Sequence, residues 1–213
     1  MEREDLAQHP ATPYFAVGER FNRAFAMAVD LHSQQARKQE GIPYISHLMD
    51  ASALVMQYGG TEDQAIAALL HDGPEDNGGR ATLERIRQEF GGHVARMVQD
   101  CSDSYDGEDD HLTWVERKQA HFDLFRSDAL FDSCLVYTAD KISNTRTLTD
   151  FLRRRGADAW KVFAGEPQHK VWYMRQMADI FRERGTEPAM VDELDRCLDT
   201  LEQVMAEVQH AQE

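Results

Sequence analysis

Apolar residues in this chain recur at spacings of three and four, and no stretch alternates with a period of two for a useful length. That pattern predicts an all-α protein, a helical bundle of about eight to ten helices. A first helix is expected from about Gly18 to Lys38, with Phe21, Ala24, Phe25, Ala28 and His32 on one buried stripe. Gly41 and Pro43 mark a turn. A second helix starts at Ser46, a plausible N-cap, and runs to about Gln57 with Leu48, Ala51, Leu54 and Val55 inward. Thr61 to Gln64 is a capping box that opens a third helix, which ends in His71-Asp72. The ring of Pro74 would clash with the carbonyl of Leu70, so the helix breaks there. Thr82 is expected to cap a short helix to Phe90, and another runs from His93 to Asp100. A second capping box at Thr113–Glu116 opens a helix to about Arg126. The apolar run Cys134–Ala139 leads into a helix that Arg153-Arg154-Arg155-Gly156 ends, with cations where the helix dipole favours them. Two more helices are expected, at about Gln168–Arg184 and Pro188–Val208. The last carries Val191, Leu194, Leu198, Leu201 and Val204 at helical spacing and reads as a packing or dimer helix, so a homodimer is one expectation. Residues 1–16, with Pro10 and Pro13, read as a loose arm, and residues 17–213 as one domain.

Composition narrows the function classes. The formal net charge of −15 argues against a surface for nucleic acid polymers or anionic membranes. It leaves room for a small anionic substrate, since a few local cations and a metal can make a positive pocket inside a negative shell. No apolar run approaches the roughly 20 residues of a membrane span. The start, Met1-Glu2-Arg3-Glu4-Asp5, has no apolar core of a secretory signal. Cys101, Cys134 and Cys197 are odd in number and far apart, which fits reduced thiols in the cytoplasm rather than a disulfide framework.

The chemistry gathers at Leu69-Leu70-His71-Asp72-Gly73-Pro74-Glu75-Asp76. A buried helix ending in His-Asp has to offset several kcal/mol of charge burial. A metal ion does so, because His supplies a neutral nitrogen and Asp a hard oxygen. His47 falls in the first turn of its helix, where a cation is disfavoured and a neutral, ligating imidazole fits. Asp140, Asn144 and Thr147 are spaced i, i+4, i+7 and share one helix face behind an apolar lead-in. His47, His71, Asp72 and Asp140 thus form a two-nitrogen, two-oxygen set on three helices, which suits Mn, Fe, Co or Zn better than Mg or Ca. Elsewhere, His32 reads as a hydrogen-bonded core residue and His121 as a surface residue. The acidic run Asp103–Asp110 fails the EF-hand pattern, with Thr113 where a Glu is needed, and reads as a solvated loop.

The order His … His-Asp … Asp resembles the HD-domain phosphohydrolases. Four linked stretches sharpen the likeness: His32–Lys38, Gly41–His47, Ala68–Asp76 and Ala139–Arg146. Together they resemble the hydrolase domain of the RelA/SpoT homologues, in its stand-alone form the small alarmone hydrolase, over roughly residues 18–180. The resemblance implies removal of the 3′-pyrophosphate from ppGpp, pppGpp or their adenosine analogues, usually with Mn²⁺. It implies that His47, His71, Asp72 and Asp140 bind the metal and that Glu75 and Asp76 orient or deprotonate the attacking water. It further implies that Arg37 and Lys38 frame the nucleotide and that Asn144 and Thr147 hold base or ribose, with Arg146 and Tyr173 as further substrate contacts. Gly73-Pro74 stands where the family usually has small or apolar residues. Ser143 stands where a His is common before Asn144, and Leu48 where a Pro commonly follows the metal His. Two rival readings are an HD phosphatase of another nucleotide, such as the 2′-phosphate of NADPH, and a metal-holding nucleotide sensor without turnover.

Overall fold

A computed structural model describes residues 15–37, 41–102, 113–161 and 167–210. Among these residues the structure is all-α, and the only extended pairing is an isolated antiparallel bridge between Ala36 and Pro43. The helices are α1 (Glu19–Leu31), α2 (Ile45–Gln57), α3 (Glu62–Leu70), the single turn α4 (Gly73–Asp76), α5 (Gly79–Phe90) and α6 (Gly92–Cys101). Then come α7 (Trp114–Asp123), α8 (Phe131–Arg155), α9 (Pro167–Glu183) and α10 (Pro188–His210). A π turn over Leu124–Asp128 joins α7 to α8, and a 3-10 turn over Gly156–Lys161 follows α8. No helix among the described residues is long and apolar enough to cross a membrane.

The helix α8 forms the axis of the bundle, packed by α2, α3, α6 and α10. It buries many polar residues, and three threonine hydroxyls among them are satisfied locally. Thr138, Thr145 and Thr149 donate to the carbonyls four residues back, at 2.7, 2.7 and 2.8 Å. A buried hydroxyl bonded this way avoids the cost of an unpaired polar group. Beside it, α3 is buried from Gln64 to Leu70, and both bonds of its predicted capping box form. The helix stops at Leu70, and α4 starts afresh with Pro74 in its first turn, as the proline clash requires.

Several local expectations change on folding. The helix α1 ends at Leu31 rather than Lys38, because the chain turns so that Arg37 N–H meets the Ile42 carbonyl at 2.8 Å and Tyr44 N–H the Gln35 carbonyl at 3.0 Å. On α1, Ala24, Met27 and Ala28 are buried, whereas Phe25 is exposed. The N-cap of α2 is Tyr44, so Ser46 lies inside the first turn. Thr82 lies within α5, where its hydroxyl donates to the Asn77 carbonyl and closes the link from α4. His121 is not a surface residue. It is buried, its Nε2–H donates to the Ser102 carbonyl at 3.2 Å, and its Nδ1 lies 2.9 Å from the Tyr137 hydroxyl and 3.1 Å from the Tyr173 hydroxyl, which are themselves 2.8 Å apart. The apolar stripe of α10 is buried within the chain, where α10 packs on α8 and α9, so it serves as a packing face. The first fourteen residues of the expected arm, and the acidic run Asp103–Asp110, lie outside the described residues.

Candidate metal centre

Three helix segments bring the titratable residues together. The first turn of α2 delivers His47, the end of α3 delivers His71 and Asp72, and the middle of α8 delivers Asp140. Ligand atoms of His47, His71 and Asp72 lie within 4.8 Å of one another. One oxygen of Asp140 lies beside the two imidazoles, 3.2 Å from His47 Nε2 and 3.6 Å from His71 Nε2. The nearest oxygen of Asp72 stands 3.5 and 3.2 Å from the same two nitrogens. Both imidazoles are buried.

The hydrogen bonds on the far side of each ring decide what these nitrogens can do. His71 Nδ1 lies 2.9 Å from the carbonyl of Ala68. A carbonyl only accepts, so Nδ1 carries the proton and Nε2 of the neutral ring is a lone pair. His47 Nδ1 lies 2.9 Å from Ser143 Oγ, which can accept in the same way. Both Nε2 atoms are buried without a hydrogen-bond partner. Two lone pairs therefore face two carboxylates across a gap of 3.2 to 3.6 Å. Acceptors facing acceptors repel unless a cation or protons sit between them. The residues present fit a divalent metal ion.

The electrostatics carry the same message. Burial alone would lower the pKa of His71, but the carboxylates of Asp72 and Asp140 outweigh it and raise it well above the usual imidazole range. Burial alone would raise Asp72, but His71 and His47 hold it well below the usual carboxylate range. Asp140 behaves likewise, lowered against its burial by Lys141 and the two imidazoles. The raised pKa of His71 favours a proton on that ring when no cation is bound. Metal uptake must displace it, so metal affinity is expected to weaken as pH falls, with proton release on binding. Calorimetry in buffers of different ionisation enthalpy measures that release.

A surrounding shell fixes the carboxylates. Tyr44 O–H donates to Asp72 Oδ2 at 2.7 Å, and its ring stacks on His32 with centroids 4.9 Å apart. Lys141 Nζ lies 2.7 Å from Asp140 Oδ2 and 3.8 Å from the centroid of the Tyr137 ring. Asn144 donates to Asp140 Oδ1 and accepts from Arg37 Nη2 at 2.8 Å. Arg37 also lies 5.6 Å from the Tyr44 ring centroid. A cavity of about 320 Å³ opens over His47 and Ser143, lined further by Arg37, Arg146, Thr147 and Arg154. This mouth collects three guanidinium groups together with the carboxylates of Asp50 and Asp150.

The family model described as an HD domain matches residues 24–165. The chain belongs to the HD-domain family. Among curated relatives, the guanosine-3′,5′-bis(diphosphate) 3′-pyrophosphohydrolase of Aquifex aeolicus is 38% identical over 138 residues, which is 62% of this chain and 18% of that protein. The zebrafish (Danio rerio) MESH1, named for the same activity, is 34% identical over 124 residues, which is 57% of this chain and 64% of that protein. The chain therefore spans less than two thirds of each of these relatives. A solved metazoan SpoT ortholog aligns over 87% of this chain and 97% of its own, with a TM-score of 0.68 and 24% identity, and so shares the HD-domain fold.

Other residues expected at the site stand as follows. Glu75 and Asp76 are exposed on α4, just beyond the His-Asp pair, and Gln35 Nε2 donates to Asp76 Oδ2 at 2.6 Å. Thr147 and Arg146 line the cavity, while Lys38 lies outside the described residues. Tyr173 is turned away from a substrate role, since its ring is buried and its hydroxyl is engaged with Tyr137 at 2.8 Å and with His121. The sequence reading missed the supporting parts played by Tyr44, Lys141, Gln35 and Ser143. Ser143 had a signal in the resemblance drawn above, where a His is common at its position.

Ser143 yields a test. Ser143→Ala removes the acceptor behind His47, and losing such an outer partner typically costs about 10- to 100-fold in metal affinity. A Mn²⁺ titration is expected to show that loss while the melting temperature of the metal-free protein changes little.

Proposed function

We propose that this protein is a metal-dependent hydrolase that removes the 3′-pyrophosphate from guanosine or adenosine alarmone nucleotides such as ppGpp or ppApp. The observation that carries the reading is the buried pair of imidazole lone pairs facing Asp72 and Asp140 beneath a mouth lined by Arg37, Arg146 and Arg154. The names of the relatives support it: the Aquifex protein is a guanosine-3′,5′-bis(diphosphate) 3′-pyrophosphohydrolase, and the metazoan SpoT ortholog hydrolyzes ppGpp.

In this reading His47, His71, Asp72 and Asp140 hold the ion, and Mn²⁺ is the one expected. A bound ion there would lower the pKa of water from about 16 toward about 7 and offset phosphate charge. Glu75, acting with Asp76, takes the proton of the attacking water. The water oxygen bonds to the phosphorus next to O3′, and the P–O3′ bond breaks with its electron pair going to O3′. That oxygen takes up a proton, so the products are pyrophosphate and a nucleotide with a free 3′-hydroxyl. Gln35 restrains Asp76, and Tyr44 restrains Asp72. Arg37, Lys38, Asn144, Arg146 and Thr147 hold the nucleotide. The protein acts as one hydrolase domain over residues 17–213, in the cytoplasm. A homodimer, if formed, uses a surface other than the α10 stripe.

The test is product analysis with Mn²⁺ and separate ppGpp, ppApp and NADPH. Pyrophosphate from ppGpp or ppApp is the expected result and names the base. Orthophosphate from NADPH alone would move the protein to the phosphatase reading. Tight nucleotide binding with no turnover would make it a sensor.

A further inference from the structure

Arg146 stands in the wall between two cavities. On one side is the mouth of the metal centre. On the other is a second cavity of about 350 Å³ between α8 and α10, lined by Arg146, Arg153, Glu193, Arg196 and Cys197 among others. Within it Glu193 is the hub. Its Oε1 accepts from Arg146 Nη2 at 2.8 Å and lies 3.6 Å from Cys197 Sγ. Its Oε2 accepts from Arg196 Nε and Nη2 at 2.9 and 2.7 Å. The Glu193 side chain is 20% exposed and the Arg146 side chain 42%, so the carboxylate is the better anchored of the pair.

We infer that Glu193, on the last helix, is a positioning residue for nucleotide recognition. It grips one edge of the Arg146 guanidinium from the second cavity and so aims the remainder at the mouth of the metal centre. This rests on the hydrolase reading above, in which Arg146 touches the nucleotide. The physical logic is that a long cationic side chain has several rotamers to lose on binding an anion. A carboxylate fixed behind it removes that loss in advance. The two cavities share Asp150 as well as Arg146, so α10 reaches the site through this wall.

The sign of the effect separates this role from simple proximity of charge. Were Glu193 only a negative charge near an anionic substrate, removing it would tighten binding. As a positioning residue, its removal weakens binding. Steady-state kinetics on ppGpp or ppApp with Mn²⁺ test this in wild type, Glu193→Ala, Glu193→Gln, Arg146→Ala and the Glu193→Ala/Arg146→Ala pair. KM is expected to rise about five-fold in Glu193→Ala, the scale of a well-aligned partly exposed ion pair, with kcat within about two-fold. Glu193→Gln keeps an acceptor for Arg146 and should fall between. The Glu193→Ala effect should vanish in the Arg146→Ala background, since coupled residues are not additive. A KM that falls or stays, or an effect that persists without Arg146, overturns the inference while leaving the hydrolase reading intact. A wild type that turns over neither nucleotide overturns both.

Discussion

Asp140→Ala is expected to abolish hydrolysis, lowering kcat/KM by at least about 10³-fold, since a bound metal supplies several kcal/mol of transition-state stabilisation. Asp140 Oδ1 is the oxygen that reaches both imidazoles from the α8 side, at 3.2 and 3.6 Å. Without it the centre keeps two nitrogens and Asp72, a set with one fewer anionic ligand. The substitution also leaves Lys141 without its 2.7 Å partner, so a cation borders the site where an anion stood. Two measurements check the cause. Elemental analysis should find less than one equivalent of metal in the variant, and added Mn²⁺ should raise the melting temperature of wild type but not of Asp140→Ala. A variant that keeps both metal and activity would remove Asp140 from the centre. Asp72→Ala should behave alike, with the added loss of the acceptor for Tyr44.

Asp100→Ala is expected to be the most damaging substitution away from the site, lowering stability by about 3 to 5 kcal/mol, as breaking a buried charged hub does. Asp100 is 1% exposed at the end of α6. Its Oδ2 accepts from the Leu130 backbone N–H at 2.9 Å and from Ser133 Oγ at 2.7 Å, and its Oδ1 takes Arg96 Nε at 2.7 Å. It therefore fastens α6 to the beginning of α8, the helix that carries Asp140 ten residues further on. Alanine would strand the half-buried Leu130 N–H and the buried Ser133 hydroxyl, a buried unpaired group costing about 1 to 3 kcal/mol. Urea unfolding followed by circular dichroism should show a lower midpoint with an unchanged slope. A midpoint shift worth less than about 1 kcal/mol would mean that water or local rearrangement satisfies those donors.

What the sequence determined by itself was local. The period of three to four residues, the boxes at Thr61 and Thr113, and Pro74 are short-range steric and hydrogen-bonding rules, and the all-α fold follows from them. The linked motifs named His47, His71, Asp72 and Asp140; the fold clusters the first three and sets an Asp140 oxygen beside both imidazoles. The tertiary structure decided everything that depends on which faces meet. His121 looks like a surface residue on its own helix, and it is buried because Tyr137 and Tyr173 arrive from α8 and α9, 16 and 52 residues away. Ser143 shows itself as the partner of His47 only when α8 is docked on α2, 96 residues apart. Arg146 gains Glu193 only when α10 folds back along α8. The physical reason is one of range. Periodicity and capping act within a turn or two of helix, whereas the partners of a buried polar group are set by packing between helices far apart in the chain.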